Sequence, residues 1–127
     1  MVRVRGRARL AQVMESYKRL QAFLQILADA NRLRIIAALG GERRSVSDIV
    51  GVLGVSQPLV SHHLRTLKEA GILAAERRGP FVFYWVRDSR LLGVLETMHG
   101  MIPDETREEG GFRVPPFRGG MPPWGSV

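Results

Sequence analysis

A mainly α fold carrying one β-hairpin, a winged helix-turn-helix in the order α-α-α-α-β-β-α, is what the sequence predicts, on three observations. Apolar residues recur in steps of three and four up to Gly71, the period falls to two from Ile72 to Arg87, and a helical period returns at Leu91. Two helices are joined by the tight link Gly54-Val55-Ser56, and the second is well capped and amphipathic. The period-two segment turns back on itself through Gly79-Pro80, which makes a hairpin placed as a wing.

The elements follow in order. Residues 1–9 carry Arg3, Arg5, Arg7 and Arg9 around Gly6 and are expected as a basic, flexible arm, too charged to bury. Leu10, Val13, Tyr17, Leu20, Leu24 and Leu27 form a long apolar seam, with Met14 and Phe23 widening it, so a first helix starts at Leu10. A seam at a chain end covers a core or meets another subunit. Asp29 can accept from the free backbone donors of a second helix that runs to Leu39 and stops at Gly40-Gly41. Ser47 is placed to cap a short third helix, Asp48 to Leu53, whose acidic first residue suits the positive end of the dipole.

Ser56 opens the fourth helix, with Pro58 in the first turn where its missing N–H costs nothing, and Gly71 closes it. "ILAAERR" and "FVFYWVR" are the two hairpin strands, with Arg77 and Arg78 near the tip. Alternation sets Phe81, Phe83 and Trp85 on one face of the hairpin and Val82, Tyr84 and Val86 on the other, and packing of the aromatic face against the first or last helix is expected. Leu91, Val94, Leu95, Met98, Met101 and Ile102 describe a last helix that ends before Pro103. The domain therefore spans 10–102, and residues 103–127 form a Pro- and Gly-rich tail without periodicity, expected to be disordered, with Phe112, Phe117 and Trp124 scattered through it.

Composition narrows the function classes. The 127 residues suit one domain, and 19 Lys and Arg against 12 Asp and Glu leave a net charge of +7, which favours a polyanionic partner such as nucleic acid. With no cysteine, disulfides, thiolate metal sites and thiol redox sensing are excluded. No apolar run approaches the roughly 18 residues of a membrane span, and the basic start lacks a signal peptide's apolar stretch, so a cytoplasmic protein without a membrane partner is expected. No nucleophile and base pair, phosphate-binding glycine loop or closed metal constellation appears, so neither an enzyme nor a cofactor is called for.

The fourth helix carries the sharpest question, the adjacent pair His62 and His63. At about 100° per residue, Val60, Leu64 and Leu67 form an inward stripe, while Pro58, His62, Arg65 and Glu69 point the other way and Ser61 lies on the flank. The two histidines diverge by that same angle and do not share one metal easily. His62 joins an outward face with Gln57, Ser61 and Arg65, suited to the major groove of DNA, and His63 supports the helix against its own domain. Arg65, Arg77 and Arg78 are the expected phosphate contacts.

The segments "LADANRLRIIAAL", "VSDIVGVLGVSQPLVSHHLRTLKEAGIL" and "ERRGPFVFYWV" resemble the ArsR/SmtB family of dimeric transcriptional repressors, over roughly residues 15–102. Ser61, His63 and Leu64, the run Leu67 to Ile72, and the arginine, glycine and aromatic spacing of the hairpin all fall in register with it. The resemblance implies a homodimer joined by its first and last helices. It also implies operator binding by Gln57, Ser61 and His62, with wing arginines on phosphate or in the minor groove. Pro58 stands where relatives often carry a small polar contact residue.

The family's sensing sites are altered. Where members that sense arsenic, cadmium or lead have a cysteine pair, this chain has Ser45 and Ser47, neutral oxygens that do not replace thiolates for a soft metal. Of the zinc site that the resemblance implies on the last helix, Asp88 and Asp104 remain, but Arg90 and Met101 replace the two histidines. An arginine does not give up its proton to bind a cation. Glu96 and His99, three apart on that helix, are the residual metal candidates, as two such pairs across a two-fold axis would supply four ligands.

The expected function is thus a sequence-specific DNA-binding regulator, of repressor type by resemblance, acting on double-stranded DNA as a homodimer whose effector the sequence does not identify. Two other classes stay open: a protein-interaction module using the wing aromatics and the tail, and a sequence-tolerant architectural DNA binder suggested by the basic arm. A specificity ratio near one between operator and random DNA selects the last.

Overall fold

The computed structural model describes residues 2–103, with side chains from Gly6 onward. Five helices and three strands follow in the order α1 (Val2–Leu27), α2 (Ala30–Leu39), β1 (Arg44–Ser45), α3 (Val46–Leu53), α4 (Gln57–Glu69), β2 (Leu73–Arg78), β3 (Phe81–Val86) and α5 (Arg90–Gly100). The fold is the expected winged helix-turn-helix with one strand added. β1 pairs antiparallel with β3 through Arg44 opposite Tyr84 and Ser45 opposite Phe83, which makes β3 the centre of a three-stranded sheet in the order β1-β3-β2. Two residues are too few to leave a period in the sequence.

The hairpin matches its expected register, from Leu73 opposite Val86 to Arg78 opposite Phe81, with Gly79-Pro80 as the two-residue loop. Gly79 has φ +61, the left-handed conformation that a tight hairpin turn demands and that glycine adopts without strain.

Three expectations are corrected. Residues 2–9 are not an arm but the start of α1, which runs without a break for 26 residues. Arg7, Ala8 and Arg9 are good helix formers, no proline intervenes, and extending an existing helix is far easier than nucleating one, so Gly6 alone does not stop it. The third helix starts two residues early and is capped by Ser45 rather than Ser47. The Ser45 hydroxyl accepts from the Asp48 N–H at 3.2 Å and the Asp48 carboxylate accepts from the Ser45 N–H at 3.3 Å, a reciprocal capping box that Ser47 has no partner to form. On the wing, Tyr84 and Val86 join the core, and β3 packs mainly against α2 and α3 where the first or last helix was expected. Phe81 stays exposed, and Trp85 is covered by the Arg43 guanidinium, 3.9 Å from its ring centroid.

The core gathers Ile35, Ile36 and Leu39 of α2, Ile49 and Leu53 of α3, Val60, Leu64 and Leu67 of α4, and Leu73 and Val86 of the hairpin. α2 enters it squarely because Asp29 accepts from the Arg32 N–H at 3.1 Å and Gly40, at φ +55, turns the chain away. The tail expected from residue 103, with Phe112, Phe117 and Trp124, lies outside the described residues from 104 on.

Candidate nucleic-acid interface

The link between α3 and α4 is held at its α3 end. Gly54 ends α3 at φ +67, and the Arg34 guanidinium on α2 donates to the carbonyl of Leu53 at 2.9 Å, satisfying one of the acceptors that a helix C-terminus leaves open. α4 starts at once after Ser56, with Pro58 in its first turn, and the serine side chain makes no capping hydrogen bond. A fixed pivot and a short link set the direction in which α4 presents its outer face.

That face is the one helical geometry predicts. Val60, Leu64 and Leu67 are at most 1% exposed and weld α4 to the core. Gln57, Pro58, His62 and Arg65 are exposed and Ser61 is half-buried. Gln57, Ser61 and Arg65 stand four apart in one row along the helix, with His62 beside them. Arg77 and Arg78 are exposed at the hairpin end, on a separate element. The Arg77 Nε donates to the carbonyl of Gly79 at 3.3 Å, and Arg78 lies 3.5 Å from Glu76.

His63 turns inward and is only 6% exposed. Its Nδ1 lies 3.5 Å from a guanidinium nitrogen of Arg32 and its Nε2 3.9 Å from the Asp29 carboxylate, while its ring meets that of His62 edge-on at 5.3 Å. Burial holds the imidazole below its ordinary pKa of 6.5; Asp29 opposes that shift, and Arg32 and His62 add to it.

Around the start of α5, Arg90 is engaged with Asp88, its Nη2 donating to one carboxylate oxygen at 2.7 Å and its Nε to the other at 3.0 Å. The hydrogen bond from the Arg90 side chain holds the Asp88 carboxyl at about 2. Met101 is exposed and Asp104 falls outside the described residues. Glu96 is exposed and His99 half-buried on α5, and among the described residues no group of three or more metal-ligating side chains comes together. A groove of about 810 Å³ separates α1 from the start of α5, lined by Phe23, Ile72, Leu91 and Val94 together with Arg87 and the Asp88–Arg90 pair.

Arg32, Arg34 and Arg43 were not singled out from the sequence. Their roles depend on partners in other elements, His63, Leu53 and Trp85 among them, and the nearest sequence signal, four arginines between 32 and 44, reads equally well as a solvated surface.

Large apolar side chains remain exposed on two helices, Leu10, Val13, Met14, Tyr17, Leu20 and Leu24 on α1 and Val94, Met98, Met101 and Ile102 on or just beyond α5. Tyr17 is 63% exposed, and a continuous apolar stripe of this length marks an interaction surface. Among the described residues, no helix is long and apolar enough to cross a membrane.

Comparison with known proteins gives a consistent picture. Residues 29–75 match the family described as bacterial regulatory protein, arsR family. The chain is 36% identical over 75 residues to the cadmium resistance transcriptional regulatory protein CadC of Listeria innocua, covering 58% of this chain and 63% of that protein. It is 32% identical over 95 residues to the HTH-type transcriptional regulator NmtR of Mycobacterium tuberculosis, covering 73% and 79%. Among solved structures, the homodimeric winged helix-turn-helix DNA-binding domain Mb0332 of Mycobacterium bovis superposes with a TM-score of 0.59 at 25% identity, covering 72% of this chain and 85% of that one. The match thus spans less than two thirds of the length of the cadmium-resistance relative.

Proposed function

The chain belongs to the arsR family of bacterial regulatory proteins, and on that premise we propose that it is a transcriptional repressor that binds operator DNA as a homodimer. The observation that carries this reading is the division of α4. One side, Val60, Leu64 and Leu67, is sealed into the core, and the other offers Gln57, Ser61, His62 and Arg65 outward on a helix whose entry is fixed by Arg34 and Gly54. A helix of this kind fits the major groove, where an amide side chain in the first turn reads base edges and a guanidinium meets phosphate or guanine. Arg77 and Arg78 on the wing supply further phosphate contacts.

The homodimer is supported by the exposed apolar stripes of α1 and α5, which a second copy would bury, and by the dimeric state of the Mycobacterium bovis domain. A two-fold pair places its two recognition helices about 34 Å apart, on successive turns of a near-palindrome. Its DNA target sets the protein in the cytoplasm, and this role asks for no catalysis. The CadC relative carries cadmium in its name; this chain has no cysteine, and Ser45 is engaged in capping α3, so a soft-metal thiolate signal does not transfer. The groove between α1 and α5 is where an organic effector would sit.

Fluorescence anisotropy on a labelled duplex carrying the region upstream of the protein's own gene tests the reading. Binding is expected to prefer that duplex over random DNA and to weaken steeply with salt. Gln57→Ala should cost about 1–3 kcal/mol of binding, and Arg77→Ala should weaken all sequences alike and reduce the salt slope by about one. Salt-insensitive binding, or none, with no loss in either variant overturns the reading, and a specificity ratio near one replaces it by a sequence-tolerant DNA binder.

A further inference from the structure

Arg32, in the first turn of α2, reaches across three elements. Its backbone N–H belongs to the Asp29 cap, its Nε donates to the carbonyl of Ile26 in the last turn of α1, and its Nη1 lies 3.5 Å from Nδ1 of His63 on α4. The Ile26 carbonyl is among the last four of α1, which have no donor in their own helix. One guanidinium therefore closes the end of the helix with the unpartnered apolar stripe and touches the helix aimed at DNA.

The donors also assign the tautomer of His63. A guanidinium has only hydrogens to offer, so Nδ1 facing it is the lone-pair nitrogen and Nε2, turned to Asp29, carries the ring proton. We propose that Arg32 is a positioning residue for DNA binding, fastening the C-terminal end of α1 to the recognition helix through neutral His63, and that proton uptake at Nδ1 releases the fastening. The proposal rests on the DNA-binding reading above. A proton from solvent takes the Nδ1 lone pair, the ring becomes a cation with two N–H donors, and Arg32 loses its acceptor and faces a like charge.

The charged and titratable groups facing His63 are Asp29 and Arg32 from α2 and His62 from α4, while α1 contributes the Ile26 carbonyl through Arg32. Only Asp29 favours the cation, so the imidazolium turns from Arg32 to the Asp29 carboxylate, which also caps α2. His62, exposed on the outer face, acts with the opposite sign, since its protonation adds a positive charge towards DNA.

The test compares the full chain, His63→Gln and Arg32→Lys by anisotropy on the upstream duplex at pH 7.5 and 5.5, each variant first shown to be folded by circular dichroism. The glutamine oxygen keeps an acceptor for Arg32 that does not titrate. Both variants keep His62, so the comparison isolates His63. Affinity is expected to fall about five- to tenfold more in the parent than in His63→Gln over this range, and Arg32→Lys should lose the same pH dependence. Equal pH dependence in parent and His63→Gln overturns the proposal. Nitrogen-15 spectra of the DNA-free chain give a second readout: Nδ1 should be unprotonated at pH 7.5, and the His63 titration should move the Arg32 Nε–H and the Ile26 and Leu27 amides. Their standing still overturns the fastening, whereas absence of specific binding at pH 7.5 alongside a linked titration overturns the DNA-binding reading alone.

Discussion

Arg90 holds Asp88 from two directions, with its Nη2 and Nε on the two carboxylate oxygens and its backbone N–H on the oxygen that Nε also meets. A carboxylate with three donors and a permanent cation beside it has little left to offer a metal ion. Two residues that, by family resemblance, stand where a zinc site would begin are thus committed to each other.

The Asp88 carboxyl should titrate with a midpoint near 2, against an ordinary 3.8, and Arg90→Ala should return it towards 3.8 in a carbon-13 NMR titration. The sign follows from the depressed value: the pair favours the fold above 3.8 and the contribution is lost as pH falls towards 2. Both side chains are exposed, so added salt should weaken the shift. Zinc should leave DNA affinity unchanged; zinc-dependent release that disappears in His99→Ala would instead identify Glu96 and His99 as ligands.

Ser45→Ala should destabilise the fold by about 1–2 kcal/mol in urea unfolding, because it removes the acceptor for the Asp48 N–H at the entry to α3. Ser47→Ala, on the exposed side of the same turn, should stay within about 0.5 kcal/mol of the parent. The reverse order would contradict the observed capping box.

Adjacent residues on α4 should separate stability from binding. Leu64→Ala opens a cavity in the sealed core and is expected to cost about 2–5 kcal/mol. Arg65→Ala should leave the urea midpoint nearly unchanged and weaken the complex with DNA. Measuring both variants by unfolding and by anisotropy checks the pair.

Stability should also fall in mild acid. His63 has a folded pKa below 6.5, so its neutral form favours the fold fully above 6.5, and that contribution drains away as pH falls through the lowered folded value. The thermal midpoint of His63→Gln should vary less between pH 7.5 and 5 than that of the parent. An equal slope in the two proteins would remove His63 from the account.

Much of this was legible in the chain. The inward stripe of α4 and the turn at Gly79-Pro80 follow from spacing and from glycine's freedom, which are local properties. The division of His62 from His63 was legible for the same reason, since about 100° separates neighbours on any helix. The cap of α3 was misread by two residues because Ser45 and Ser47 are equally good acceptors in isolation. What distinguishes them is Asp48, three residues after Ser45, whose carboxylate returns the hydrogen bond.

The sequence by itself determined the five helices and the hairpin, the buried face of α4 and the absence of thiolate chemistry, because each depends on residues close in the chain or on composition. Only the tertiary structure decided that β3 sits between two strands, that Arg34 reaches Leu53, and that Arg32 joins Ile26 to His63. The last two are chosen by distance in space, and a guanidinium on a long flexible stem takes whichever acceptor the packing brings within reach.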